Sequence, residues 1–282
     1  VDETCQPLYQ QDVLSKMMNF TLIAKNEFEK QLADSIEYQN SDVLAALDIV
    51  RNMSLISFTR FAKSSSLYFS LNHTLSASII GLQVLNAMRC RYGVVRPAQM
   101  LNLMASVLFC NIGVIKGVLD DDDGDKQRLN SEEIRIVNQN FTDSILWKHK
   151  SFRSRKFIQN ISFLDTNVNL EIVGRAIEYS DFSKSRMALD SDVGEIAKYA
   201  RAIQIIALMS DQNYDRRLVE FYLSLKEAGL LEETIFGSLE EFRDKWVQYF
   251  WERLYPVVGE EILLLRETNE GRNIVSQMYS HL

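Results

Sequence analysis

Turn-forming residues are scarce: the 282-residue chain contains 11 Gly and 3 Pro. Sandwiches, barrels and propellers need a tight turn every few residues, and this chain lacks the residues to make them. Long helices joined by few breaks are what remains. The apolar fraction of 46%, with 15 Phe and 11 Tyr, is enough to fill a core and argues against intrinsic disorder.

Helical periodicity runs through most of the sequence. Residues 8–38 give a broken stripe through Leu14, Met17, Met18, Leu22 and Phe28, with Glu27, Glu29 and Lys30 on the solvated side. Ser41-Asp42 reads as a cap for a second helix carrying Val43, Leu47, Val50, Ile56 and Phe58. A third helix is expected from about His73 to Met88, and a fourth from Pro97, where a first-turn proline is tolerated. The acidic run Asp120–Asp123 and Asp125 around Gly124 reads as a solvated loop. It misses the EF-hand spacing, because Leu119 would be the first ligand and Asn130 the twelfth. A helix is expected to open at Ser131-Glu132-Glu133. Others follow at about 143–163, 167–178, 191–210, 214–228, 238–255 and 257–280, with Ser238 and Glu241 forming a capping box. Gly113 and Gly117, four residues apart, suggest close helix packing. The expected fold is all-α, a bundle of about ten helices with an N-terminal helical extension over residues 1–65 and a main domain over 66–282.

The net charge of −7 gives no reason to expect nucleic acid as a partner. Cys5, Cys90 and Cys110 are too scattered for a disulfide framework or a metal knuckle, which points to a reduced intracellular compartment. Apolar stretches such as Leu101–Leu108 and Ile203–Met209 fall short of the roughly 18 residues that a membrane span needs. A leader removed ahead of Val1 is left open. Common short enzyme motifs are absent, and the only histidines are His73, His149 and His281.

Five segments carry a resemblance. Leu108-Phe109-Cys110-Asn111-Ile112-Gly113-Val114-Ile115-Lys116-Gly117 is similar to the central signature of HD-domain metal-dependent phosphohydrolases of the compact bacterial type, with Cys110-Asn111 in place of the His-Asp pair. Leu71-Asn72-His73-Thr74 resembles an upstream segment whose His is a metal ligand. Lys148-His149-Lys150 through Phe157 resembles a His followed by a basic stretch. Arg201-Ala202-Ile203-Gln204, with Ser210-Asp211-Gln212-Asn213-Tyr214 behind it, resembles a pattern in which Gln204 replaces the closing metal Asp. Phe250-Trp251, Pro256, Leu265, Thr268, Glu270-Gly271, Tyr279 and His281 follow the C-terminal pattern. The resemblance covers about residues 66–282.

What the resemblance implies is a family chemistry run by divalent ions that orient phosphate and activate water. Asn111 and Gln204 offer neutral carbonyl oxygens where carboxylates would bridge the ions, and Cys110 removes an imidazole. A magnesium or manganese pair is hard to hold on such a set. The main expectation is therefore a non-catalytic binding, regulatory or scaffolding protein with no cofactor, in which Lys116 contacts a phosphate-containing small molecule. The alternative keeps hydrolysis of a nucleotide or other phosphoester through a single zinc held by His73, Cys110 and His149. A Cys110–His73 nucleophile pair is a further option. Residues 1–65 either complete the core or dock a protein partner or a second copy. The aromatic group Phe236, Phe242, Trp246, Tyr249, Phe250, Trp251 and Tyr255 reads as a packing hub or a partner face. A plastid or cyanobacterial setting is implied by resemblance alone.

Overall fold

The computed structural model describes residues 20–35, 41–181, 194–231 and 237–282. Cys5, Leu14, Met17, Met18 and Phe236 lie outside them. Among the described residues the fold is all-α apart from one small hairpin. Its helices are α1 (Phe20–Ser35), α2 (Ser41–Phe61), α3 (Leu71–Tyr92), α4 (Pro97–Phe109), α5 (Lys150–Gln159), α6 (Ser162–Asp165), α7 (Leu170–Tyr179), α8 (Glu195–Met209), α9 (Tyr214–Glu227), α10 (Leu239–Tyr249), α11 (Tyr255–Leu265) and α12 (Asn269–Tyr279).

Two helices form the axis of the bundle. In α8 every residue from Tyr199 to Met209 is buried, and in α4 every residue from Met100 to Phe109. A helix that is shielded on all sides must be surrounded by others. Around α8 pack α3, α4, α7, α9, α11 and α12, while α2 and α7 cover the outer sides of α4. Among the described residues, the 18 residues from Pro97 to Val114, with a mean hydropathy of 1.3, are long and apolar enough to cross a membrane by length and composition alone, a test that the core helix of a bundle also passes. The interruption at its polar residues is too weak to lower the average. Within the fold 83% of it is buried, as in the core helix of a bundle.

Both N-terminal helices contribute to the same core. Phe28, Leu32, Leu47, Val50, Met53 and Phe58 are buried in the main cluster, and the rings of Phe28 and Phe58 meet edge to face at 5.7 Å. Phe20, Leu22 and Ile23 at the start of α1 stay more than half exposed, at 60%, 51% and 59%. At the other end, Phe242 and Trp246 are buried against Phe221, and Phe250 is buried beside Tyr255, so three of the aromatic group are core, while Tyr249 and Tyr255 are partly buried and Trp251 remains 43% exposed.

The helix expected to open at Ser131 is instead a hairpin turn. The strands β1 (Lys126–Arg128) and β2 (Ile134–Ile136) pair antiparallel, with Gln127 opposite Arg135. The Oδ1 of Asn130 accepts the backbone N–H groups of both Glu132 and Glu133 at 2.9 Å, which holds these residues in a turn rather than a first helical turn. The stretch at 143–163 also divides, into a 3-10 segment Asp143–His149 followed by α5 and α6. Further on, α10 passes through a π turn, Phe250–Leu254, into α11. Pro256 has no N–H to give there, and the wider turn accommodates it. The cap at Ser238 forms as expected: its hydroxyl accepts the Glu241 N–H at 3.1 Å, and Glu241 reaches back to the N–H of Gly237 at 2.9 Å.

Gly113 sets the distance on which the interior depends. A Cβ there would lie 2.2 Å from the carbonyl oxygen of Lys150 and 2.6 Å from the Ser154 nitrogen. Its absence lets the 3-10 turn Ile112–Val114 rest directly on the start of α5, with the Gly113 N–H donating to Ser154 Oγ at 2.9 Å. Gly117 plays a different part: its φ of +68° makes the turn that leads to the acidic loop.

Candidate functional site

Three helix ends and the middle of a fourth helix bring buried polar groups to one point. Ser70 caps α3 by accepting the N–H of His73 at 3.4 Å, which places the imidazole in the first turn, facing inward. Asn111 follows the end of α4, Lys150 begins α5 against Gly113, and Gln204 sits in the middle of α8. All four side chains are at least nine-tenths buried.

They form one hydrogen-bonded chain. Lys150 Nζ donates to Asn111 Oδ1 at 2.9 Å, Asn111 Nδ2 donates to Gln204 Oε1 at 2.8 Å, and the same oxygen lies 2.9 Å from His73 Nε2. An ammonium can only donate, so Lys150 fixes the direction of every link. Asn111 must present its oxygen to Lys150 and therefore its amide hydrogens to Gln204. Gln204 Oε1 is then an acceptor twice over, and His73 Nε2 must carry the imidazole proton. Among the described residues the bare Nδ1 of His73 has no hydrogen-bond partner, nor has Gln204 Nε2.

The surroundings keep this imidazole neutral. Burial, with Arg217 and Lys150 adding to it, brings the His73 pKa down to about 3. The ring lies 4.7 Å from that of Tyr68, over which Arg217 sits at 4.9 Å. Arg217 is held by the Tyr68 carbonyl oxygen at 2.8 Å, by Glu220 at 2.5 Å and by Asp211 at 3.6 Å. Lys150 has its own enclosure. Asp181, 4% exposed at its side chain, lies 3.8 Å from the ammonium and accepts the Trp147 indole N–H at 3.3 Å, and the Phe69 ring lies 5.6 Å from Nζ.

Of the residues singled out from sequence, His73, Asn111 and Gln204 meet directly. Cys110 is fully buried at the end of α4, its Sγ 3.4 Å from the Val107 carbonyl oxygen, and burial pushes its thiol up to about 11. A group that holds its proton so firmly is a poor nucleophile for a Cys–His pair. His149 turns away. It is half-buried, its pKa is lowered mainly by burial, and its charged neighbours are Glu133 and Arg135 of the hairpin, then Arg153 and Lys148. The proposed zinc triad is thus not assembled, and among the described residues no group of three or more His, Cys, Asp or Glu side chains is placed to hold a metal. Consecutive residues at a helix start point about 100° apart, so one step in register decides that Lys150, not His149, faces the interior. Lys116 is held in a loop, donating to the Phe141 carbonyl oxygen at 2.6 Å while its N–H donates to Asp143 Oδ1 at 3.3 Å. His281 stacks on Tyr214 at 4.6 Å, with Nδ1 2.8 Å from the Met209 carbonyl oxygen, and packs the C-terminus.

A bridging metal would need the His73 nitrogen that faces Asn111 and Gln204 to offer a lone pair, and it would need anions beside it. That nitrogen carries a proton, its neighbours are amides, and an ammonium stands within hydrogen-bond distance of one of them. The residues present do not fit the metal pair that the resemblance implies.

The acidic loop is more than a solvated turn. Asp122 has a fully buried side chain that takes two bonds from Arg153, at 3.1 and 2.9 Å. Arg153 also donates to the carbonyl oxygens of Gly113, Ile115 and Arg128 at 2.6, 2.8 and 2.6 Å. Asp121 pairs with Arg128 at 2.7 Å and with Lys156. Neither Asp122 nor Arg153 was singled out in the sequence, since a lone Arg in a basic stretch and one Asp of a run give no sign of burial.

A family model described as Npun_R2479-like matches residues 18–282. No curated protein and no solved structure matches the chain. The family match takes in both N-terminal helices as well as every residue of the polar chain, so α1, α2 and the site fall within one family unit. The chain belongs to the Npun_R2479-like family.

Proposed function

We propose that this protein is a relative of the HD-domain phosphohydrolases that has lost metal-dependent hydrolysis and acts as a binding, regulatory or scaffolding module. One observation carries the reading: His73, Asn111 and Gln204, at three positions where the resemblance places metal ligands, bond directly to one another in the polarity set by Lys150. A hydrolytic centre needs lone pairs and negative charge facing a cation. Here both are replaced by a closed chain of neutral amides and a protonated ring nitrogen.

The same reading places the protein in a soluble, reducing interior, in keeping with the free thiols of Cys90 and Cys110. Its partner is a protein rather than a phosphate ester. Lys116, the sequence candidate for an anion contact, is engaged with a backbone carbonyl oxygen, whereas Phe20, Leu22 and Ile23 on α1 expose apolar surface.

The test is enzymatic and analytical together. The purified chain, prepared without chelators and supplied with manganese, magnesium or zinc, should hydrolyse p-nitrophenyl phosphate, bis-p-nitrophenyl phosphate and cyclic or linear nucleotides no faster than buffer. Its metal content should stay well below one ion per chain. Stoichiometric metal together with turnover of any of these esters overturns the reading.

A further inference from the structure

We infer that the Lys150 ammonium is the resident cation of this interior, occupying covalently the role that an exchangeable ion would otherwise fill. This deepens the proposed reading of the same site, and its support comes from the geometry around Nζ. Lys150 is 2% exposed, and the cation has one carboxylate near it, Asp181 at 3.8 Å. It also has one amide oxygen, Asn111 Oδ1 at 2.9 Å, and one aromatic ring, Phe69 at 5.6 Å. Oxygen donors, a buried anion and a π face are what a desolvated cation requires. Among the described residues the site also faces Arg217, stacked on Tyr68, and the neutral imidazole of His73. Asp181 is therefore the one carboxylate among the described residues set against this ammonium.

The charge has a consequence for ligand choice. With Lys150 in place, a second cation would meet an ammonium and a proton-bearing imidazole, so divalent ions are turned away by repulsion as well as by missing ligands. With the side chain removed, Asp181 would keep the Trp147 indole N–H and lose the ammonium, Asn111 Oδ1 would lose its donor, and the volume of the lysine side chain would be left between them. The ligand class this space takes is a small primary ammonium, which offers the same three N–H donors as the lysine.

The experiment is chemical rescue of K150A, read as the melting temperature of the full chain. K150A should melt about 10 °C or more below the wild type, as expected when a buried charged partner is lost from a chain of this size. Ethylammonium chloride should restore a substantial part of that loss. Tetramethylammonium chloride at equal ionic strength should not, and the wild type should respond to neither. A K150A protein as stable as the wild type, or one stabilised equally by both salts, overturns the inference. Should K150A fail to fold, N111D retains Lys150 and gives a second reading. It should fold as an internal ion pair and take up no manganese, and manganese bound by N111D with Lys150 present would overturn the inference. These outcomes are separate from the hydrolysis assay. Turnover by the wild type defeats the non-catalytic reading, while failed rescue in a chain without turnover defeats only the role given to Lys150.

Discussion

Replacing Arg153 with alanine is expected to cost on the order of 3–5 kcal/mol of folding stability, enough to leave much of the chain unfolded at ambient temperature. The guanidinium is fully buried and ties together three separately folded pieces: the turn after α4 through Gly113 and Ile115, the hairpin through Arg128, and the acidic loop through Asp122. Truncation would leave the Asp122 carboxylate buried without its partner, along with three carbonyl oxygens that have lost a donor. An unpaired buried charge costs far more than the pair itself contributes. The exposed counterpart is Lys156, which pairs with Asp121 on the surface of the same loop. Lys156→Ala should leave the urea midpoint where it is, because solvent screens that pair. Urea denaturation of the two variants beside the wild type checks both. An Arg153→Ala protein that unfolds at the wild-type midpoint would show that the network adds nothing.

Acid should destabilise the protein through His73, and by a large amount. The folded-state pKa is held near 3 by burial first, then by Arg217 and Lys150. In the unfolded chain the imidazole titrates at about 6.5. Between these values the unfolded state binds a proton that the folded state refuses, so stability rises with pH in this window. The contribution is therefore fully present above the unfolded pKa and is lost as pH falls toward the folded one. From pH 6.5 to pH 4 the loss is on the order of 3 kcal/mol from this one group. Carboxylates titrate in the lower part of the same range, so the informative quantity is the difference between wild type and His73→Gln, which has no proton to take up. Urea midpoints from pH 4 to pH 7 should give a slope shallower by up to one proton in the variant. Parallel profiles would mean that His73 is charged, or accessible, in the folded protein.

The helices that build the core were readable because their apolar residues recur with helical spacing. Helix α4 from Pro97 and the cap at Ser238 lie where the sequence places them. The hairpin was not readable. Its strands are three residues long, too short to show alternation, and the Asn130 side chain decides the turn by capturing two backbone N–H groups. For the site, His73, Asn111 and Gln204 could be found from the order of five short segments, although 131 residues separate His73 from Gln204. Lys150 could not be assigned in the same way. Lys148, His149 and Lys150 are adjacent, and only the packing of Gly113 against the start of α5 determines which of them points inward. Arg153 and Asp122 were hidden for a related reason. Charged residues in a charged stretch look solvated until tertiary structure covers them.

The central claim is that the interior around His73, Asn111 and Gln204 is closed by its own side chains, with the Lys150 ammonium as its cation. Anomalous diffraction from crystals grown with manganese and recorded at the manganese edge tests that claim most directly. The account predicts no anomalous peak among His73, Asn111 and Gln204, with continuous density joining Lys150 Nζ to Asn111 Oδ1. A peak within bonding distance of His73 Nε2, with the lysine displaced to make room for it, would contradict the account.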